Sequence, residues 1–149
     1  MVAGSWDTDV RVWSTDKGDL VARIEDLTVS MFAMDFSPDG RVLAAAGADR
    51  AVYLLDAATW KVTRKLTGHP EIIVSLAFSK DGRLLATGGF SGLAGRHPAH
   101  VTVWDCASGN ITRSLPTPDA VWSMAFSEDG SLLANATGEK AVTLRAPRA

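Results

Sequence analysis

Three histidines, a single cysteine and a regular series of aspartates are the side chains of this 149-residue sequence best placed to do chemistry. His69 near Asp81 or Glu71 is an imidazole beside a carboxylate, the arrangement of an acid–base pair. His97 and His100 are three residues apart, but two imidazoles without further ligands fall short of a metal site. Cys106 is alone, so neither an internal disulfide nor a multi-cysteine cluster can form. Asp39, Asp81 and Asp129 occur in the same local phrase each time, and repetition in every unit argues for a structural role over a catalytic one. There is no Gly-x-Ser-x-Gly elbow and no phosphate loop. The expectation is a non-enzyme with no catalytic residue, no cofactor and no metal.

The bulk properties narrow the class further. A formal net charge of −2 argues against a nucleic-acid-binding surface, which needs a basic stripe or patch. No run of about 18 apolar residues is present, so no transmembrane helix and no membrane contact are expected. The first residues lack both a basic segment and an apolar one, unlike a secretory leader. A lone cysteine fits a reducing compartment, and a cytoplasmic location is expected on that ground.

What positions these residues is a period. The phrase Phe-Ser-x-Asp-Gly recurs at Phe36–Gly40, Phe78–Gly82 and Phe126–Gly130, with Phe-to-Phe spacings of 42 and 48 residues. Repeats of that length mark a stacked or radial architecture. Ser-x-Asp-Gly is turn chemistry, because the aspartate bonds its own backbone and the glycine supplies positive φ. Apolar alternating runs flank each turn, so each phrase reads as the tip of a β-hairpin. Taking the Phe as origin predicts four strands per unit: Val29–Phe36, Arg41–Ala46, Ala51–Leu55 and Lys61–Leu66, then Ile72–Phe78, Arg83–Thr87, His100–Trp104 and Asn110–Leu115. Strands at Val10–Trp13 and Leu20–Ile24 precede them, and Ala120–Phe126, Ser131–Ala136 and Ala141–Arg145 follow.

Four short antiparallel strands per 40–45 residues is a propeller-blade pattern. Gly68-His69, then Val74 to Gly82, then Leu85-Ala86-Thr87-Gly88 and Val101-Thr102-Val103-Trp104-Asp105 resemble a WD40 repeat almost throughout. Gly4-Ser5-Trp6-Asp7 with Val10-Arg11-Val12-Trp13 resembles the second half of another. The resemblance implies an all-β, incomplete ring of about three to three and a half blades: a partial blade over 1–26, blades over 27–66 and 67–115, and a partial blade over 116–149. It also implies a structural set of His, Ser or Thr, Asp and Trp that satisfy one another's hydrogen bonds. By position this set comprises Asp7 and Trp13, then Asp49, then His69, Thr87 and Trp104, with Asp105 completing the Trp-Asp pair. The set is incomplete in every blade. Pro98 stands where the central blade's Asp belongs, Leu27 and Leu55 replace His and Trp in the blade before, and the last blade has Thr117, Glu139 and Arg145. In this frame His69 is architectural.

Two departures from the period carry the functional expectation. The longer second spacing places an insertion in 88–100, whose Arg96, His97 and His100 resemble a small cationic patch on a loop that meets partners in such propellers. Four residues before each Phe stand Phe32, Val74 and Trp122, at a place that is variable in the family and lies at the channel mouth. Phe32 and Trp122 are therefore candidate partner contacts, since aromatics anchor interfaces. The implied function is a protein or peptide docking scaffold of the WD40 type, or else a regulatory module of a larger signalling enzyme. The period begins and ends mid-blade. A missing remainder, or a second copy pairing Leu20–Ile24 with Ala141–Arg145, is expected to complete the ring.

Overall fold

The computed structural model describes residues 2–4, 10–92, 98–138 and 141–145. Fourteen strands among them form four antiparallel sheets, with no helix. The first sheet is β1 (Val2–Gly4), β2 (Val10–Trp13) and β3 (Leu20–Ile24). The second is β4 (Met31–Phe36), β5 (Val42–Gly47), β6 (Val52–Asp56) and β7 (Val62–Leu66). The third is β8 (Ile72–Phe78), β9 (Leu84–Phe90), β10 (Ala99–Asp105) and β11 (Ile111–Thr117). The fourth is β12 (Val121–Phe126), β13 (Leu132–Thr137) and β14 (Ala141–Arg145). Within each sheet the strands lie in chain order. The expected architecture of stacked blades without a closed ring is what forms.

The repeated phrase builds the same turn three times. Ser37 Oγ donates to Asp39 Oδ1 at 2.6 Å and accepts the Val42 N–H at 2.9 Å, while the Arg41 N–H reaches Asp39 Oδ1 at 3.0 Å. Ser79–Asp81 and Ser127–Asp129 repeat these bonds. Gly40, Gly82 and Gly130 take φ of 70°, 71° and 68°, a left-handed conformation that a side chain would disfavour. The carboxyls of all three aspartates are held below their ordinary value, first by the serine hydroxyl, and Asp129 falls to about 2.

Three apolar layers glue the sheets together in chain order. Val10, Val12 and Ile24 meet Met31, Leu43, Ala45 and Leu55. The opposite face of that second sheet, through Ala44, Ala46, Val52, Leu54 and Leu66, meets Ile73, Leu85 and Trp104. Leu84, Ala86, Val101 and Val103 then meet Val121 and Leu133. Burying each large aliphatic side chain stabilises by about 1.5–3 kcal/mol. Strands β5 and β9 are buried on both faces because a sheet covers each side. In β13 the pattern alternates: Leu133 and Asn135 are buried, whereas Leu132, Ala134 and Ala136 are exposed. Hydrogen bonds stitch the layers as well, from Ser75 Oγ to the Val121 carbonyl at 2.6 Å and from the Phe78 N–H to Asp35 Oδ2 at 3.1 Å.

The insertion is smaller than the spacing implies. Strands expected at 83–87 and 100–104 extend to Phe90 and back to Ala99, so part of the extra length is ladder, with Ile72 opposite Phe90 and Ala99 opposite Thr117. Gly88 and Gly89 look like a loop in sequence but are strand residues. A Cβ on Gly88 would stand 2.4 Å from Ser75 Oγ and 2.7 Å from Val121, and one on Gly89 would stand 2.5 Å from Glu71 Oε2. Close packing, rather than chain reversal, requires them.

Candidate functional site

One end of the stack gathers the candidates. The register pairs Met31 with Gly47, Ile72 with Phe90 and Val121 with Thr137, so the starts of β4, β8 and β12 and the ends of β5, β9 and β13 share that end. The aspartate turns lie at the other. At the candidate end each inner strand carries a β-bulge. Met31 and Ala33 pair with Gly47 and Ala46, which leaves Phe32 with no opposite residue; Val74 and Trp122 are skipped in the same way. A bulge inserts one unpaired residue and re-aims its side chain. The three aligned positions seen in sequence are therefore three bulge residues. Trp122 is 54% exposed, and its ring lies 5.4 Å from that of Phe90 at an interplanar angle of 40°. Phe32 is half-buried.

The architectural residues separate into distinct groups. In the third sheet the Trp104 indole N–H donates to Thr87 Oγ1 at 2.9 Å, and Thr87 in turn donates to the Thr102 carbonyl at 3.3 Å, all buried. Among the described residues no hydrogen bond between side chains joins His69 to them; it meets them only through the Thr87 backbone. Its Nδ1 lies 3.0 Å from the Glu71 carbonyl and 3.3 Å from the Glu71 backbone nitrogen, while its buried Nε2 makes no hydrogen bond of good geometry among the described residues. Burial pushes this imidazole below its ordinary pKa, against the opposing pull of Glu71. Pro98, at the place of the missing aspartate, is exposed. The carboxylate of this neighbourhood is Glu71, whose Oε1 is 2.7 Å from His100 Nδ1 and whose Oε2 is 3.7 Å from His69 Nδ1. His100 thus faces Glu71 while remaining partly exposed. Arg96 and His97 lie outside the described residues, as does Asp7.

In the second sheet Leu27 and Leu55 are both core residues. Asp49 accepts from the Tyr53 hydroxyl at 2.7 Å and from Lys65 Nζ at 3.0 Å, and the Lys65 cation sits 4.7 Å from the Tyr53 ring centre. Burial alone would raise the Asp49 pKa, but the Tyr53 and Lys65 bonds together hold it below its ordinary value. Asp105 caps the turn after β10, accepting the Ser108 N–H and hydroxyl at 2.7 Å each. Trp13, at the end of β2, is half-buried. Burial, aided by the charges of Asp105 and Asp81, pushes the Cys106 thiol up to about 11, the opposite of a reactive thiolate. Among the described residues no group of three or more His, Cys, Asp or Glu side chains is arranged to hold a metal.

Sequence reasoning missed Arg50 and Phe90 as members of this end, and named Glu71 only as a neighbour of His69. Together with Ile72 they line a cleft of about 400 Å³ between the second and third sheets. The only signal for Phe90 was its place after two glycines that resembled a loop.

This architecture of four-stranded blades, with a buried Trp–Thr bond in one of them, defines a class. The family described as "WD domain, G-beta repeat" matches residues 24–56, 60–105 and 109–142, and the chain belongs to it. Among its relatives, the WD repeat-containing protein VIP3 of Arabidopsis thaliana is 30% identical over 122 residues, covering 80% of this chain and 36% of that protein. The U3 small nucleolar RNA-associated protein 21 homolog of Schizosaccharomyces pombe is 28% identical over 118 residues, covering 79% of this chain and 12% of that protein. Jouberin of Rattus norvegicus is 39% identical over 95 residues, covering 60% of this chain and 8% of that protein. The chain spans little more than a third, or less, of each of these relatives.

Proposed function

We propose that the chain is a non-enzymatic docking module that binds protein or peptide partners through the end bearing the bulge residues. The observation that carries this reading is Trp122: a large aromatic on a bulge, more than half exposed, backed by a second aromatic at 5.4 Å. Exposed aromatics of this kind are the usual anchors of interfaces. The net charge of −2 favours a protein over a nucleic acid as the partner, and we place this activity in the cytoplasm. The length of the relatives supports a second role compatible with the first, in which the module serves as one part of a longer ring or multidomain protein. Affinity capture with the wild type, Trp122→Ser and the opposite-end control Lys80→Ser tests the reading. The partners retained by Lys80→Ser are expected to be lost by Trp122→Ser. Equal retention by both variants would refute it.

A further inference from the structure

The cleft at the candidate end offers one charge and one apolar wall. Arg50 stands on one side, in the turn between β5 and β6, held at φ 64°. Its guanidinium reaches the Pro70 carbonyl at 3.5 Å, the outer limit of a hydrogen bond, and among the described residues it has no carboxylate partner. Opposite lie Ile72 and Phe90, and the Phe90 ring continues the surface to exposed Trp122. Glu71 also borders the cleft, but its carboxylate is directed inward to His100 and His69. The charge presented to an incoming ligand is therefore cationic, at one edge of an aromatic strip.

We infer that this cleft binds an extended peptide segment in which a carboxylate side chain stands beside an aromatic or branched aliphatic one. The carboxylate would pair with Arg50, whose planar fork matches it in two-point geometry. The apolar side chain would lie on Ile72 and Phe90 and be capped by Trp122. This inference rests on the docking reading and names the chemistry of its ligand. The site lies between two sheets, so a segment bound there bridges both.

The test is selection of a random dodecapeptide phage library on the full chain, followed by fluorescence polarisation of the enriched peptides. The consensus is expected to pair Asp or Glu with an aromatic, Leu or Ile within two positions. Arg50→Glu is expected to weaken an acidic consensus peptide roughly tenfold or more, the scale of losing one interfacial charge pair and gaining a repulsion. It should also strengthen a Lys-for-acid version of that peptide. Trp122→Ser is expected to weaken both. Both substitutions are at the surface, and circular dichroism of each variant checks that it is folded. A consensus without acidic residues, or an acidic peptide bound equally by wild type and Arg50→Glu, would overturn the inference. So would displacement of the peptide by poly(U) RNA at equal nucleotide and peptide concentration. If affinity capture still depends on Trp122 while the peptides show no acidic preference, this inference fails and the docking reading stands. If capture is indifferent to Trp122 as well, both fail.

Discussion

Four glycines, Gly47, Gly88, Gly89 and Gly138, face neighbours at forbidden distances, and the identity of the neighbour decides what an added methyl costs. Gly88→Ala is the central case. The new Cβ would stand 2.4 Å from Ser75 Oγ and 2.7 Å from Val121 Cβ and Cγ1. Neither can step aside easily. Ser75 is buried and bonded to the Val121 carbonyl, and Val121 is fully buried in the layer between the third and fourth sheets. Overpacking of this kind costs about 1–3 kcal/mol. Loss of the Ser75 bond adds about 1 kcal/mol. The reduced freedom of the unfolded chain returns about 0.4–1 kcal/mol. Taking the middle of each range, the net expectation is a destabilisation of about 2 kcal/mol, or a Tm lowered by roughly 4–8 °C in a chain of this size. Gly47→Ala meets the Ser30 carbonyl oxygen at 1.9 Å, a backbone atom, and should cost more. Gly138→Ala meets Asp119 Oδ2 at 2.3 Å, the far end of a side chain that can rotate away, and should cost less than about 1 kcal/mol. Calorimetric melts of the full chain give the order. If Gly88→Ala melts within a degree or two of wild type, or if Gly138→Ala proves the most damaging, the stacking geometry assigned to the third and fourth sheets is wrong.

Two further predictions address the buried polar groups. Thr87→Val keeps the shape but strands the Trp104 indole N–H at a site 1% exposed, so it should cost about 1–3 kcal/mol in urea unfolding; a loss below about 0.5 kcal/mol would mean that the bond is not structural. Acid should destabilise the fold in two steps. Because the folded His69 pKa lies below the ordinary 6.5, its contribution is complete above that pH and falls away as the unfolded chain, but not the native one, takes up the proton. The lowered aspartates of the turns contribute above their ordinary 3.8 and lose this as pH falls towards their folded values, about 2 for Asp129. Urea midpoints measured from pH 7 to 2 should show both steps, with the upper one missing in His69→Gln. A wild-type profile that is flat between pH 7 and 5 would count against a histidine kept neutral by burial.

The period of Phe-Ser-x-Asp-Gly made the sheets legible because the same turn chemistry is repeated with the same bonds at each copy. The aligned Phe32, Val74 and Trp122 were visible for the same reason, although their status as bulges was not. A bulge is a matter of pairing register, and nothing in the residue types announces it. The polar groupings were the least legible part. Family position ties His69 to Thr87 and Trp104, yet its side-chain hydrogen bonding is with the Glu71 backbone, and the Glu71 carboxylate draws in His100 from β10, 29 positions along the chain. Asp49 likewise found Tyr53 and Lys65, residues that no local pattern links to it. Partners chosen across strands depend on which side chains converge in space, so spacing alone does not name them. Gly88 and Gly89 misled for a related reason, since absence of a side chain signals a turn and a tight contact equally.

The bulges separate two kinds of obligation within one strand. The other residues near the start of β4, β8 and β12 have counterparts across the ladder, and Met31, Ile73 and Val121 also pack in the layers between sheets, so changing them disturbs pairing, packing or both. Phe32, Val74 and Trp122 have no counterpart across the ladder. A side chain there is free to vary without renegotiating the register of the sheet that carries it. Already within this chain the same geometric slot holds a phenylalanine, a valine and a tryptophan. The fold thus behaves as a fixed frame with replaceable contact points set side by side, and a change of partner would require rewriting only those points.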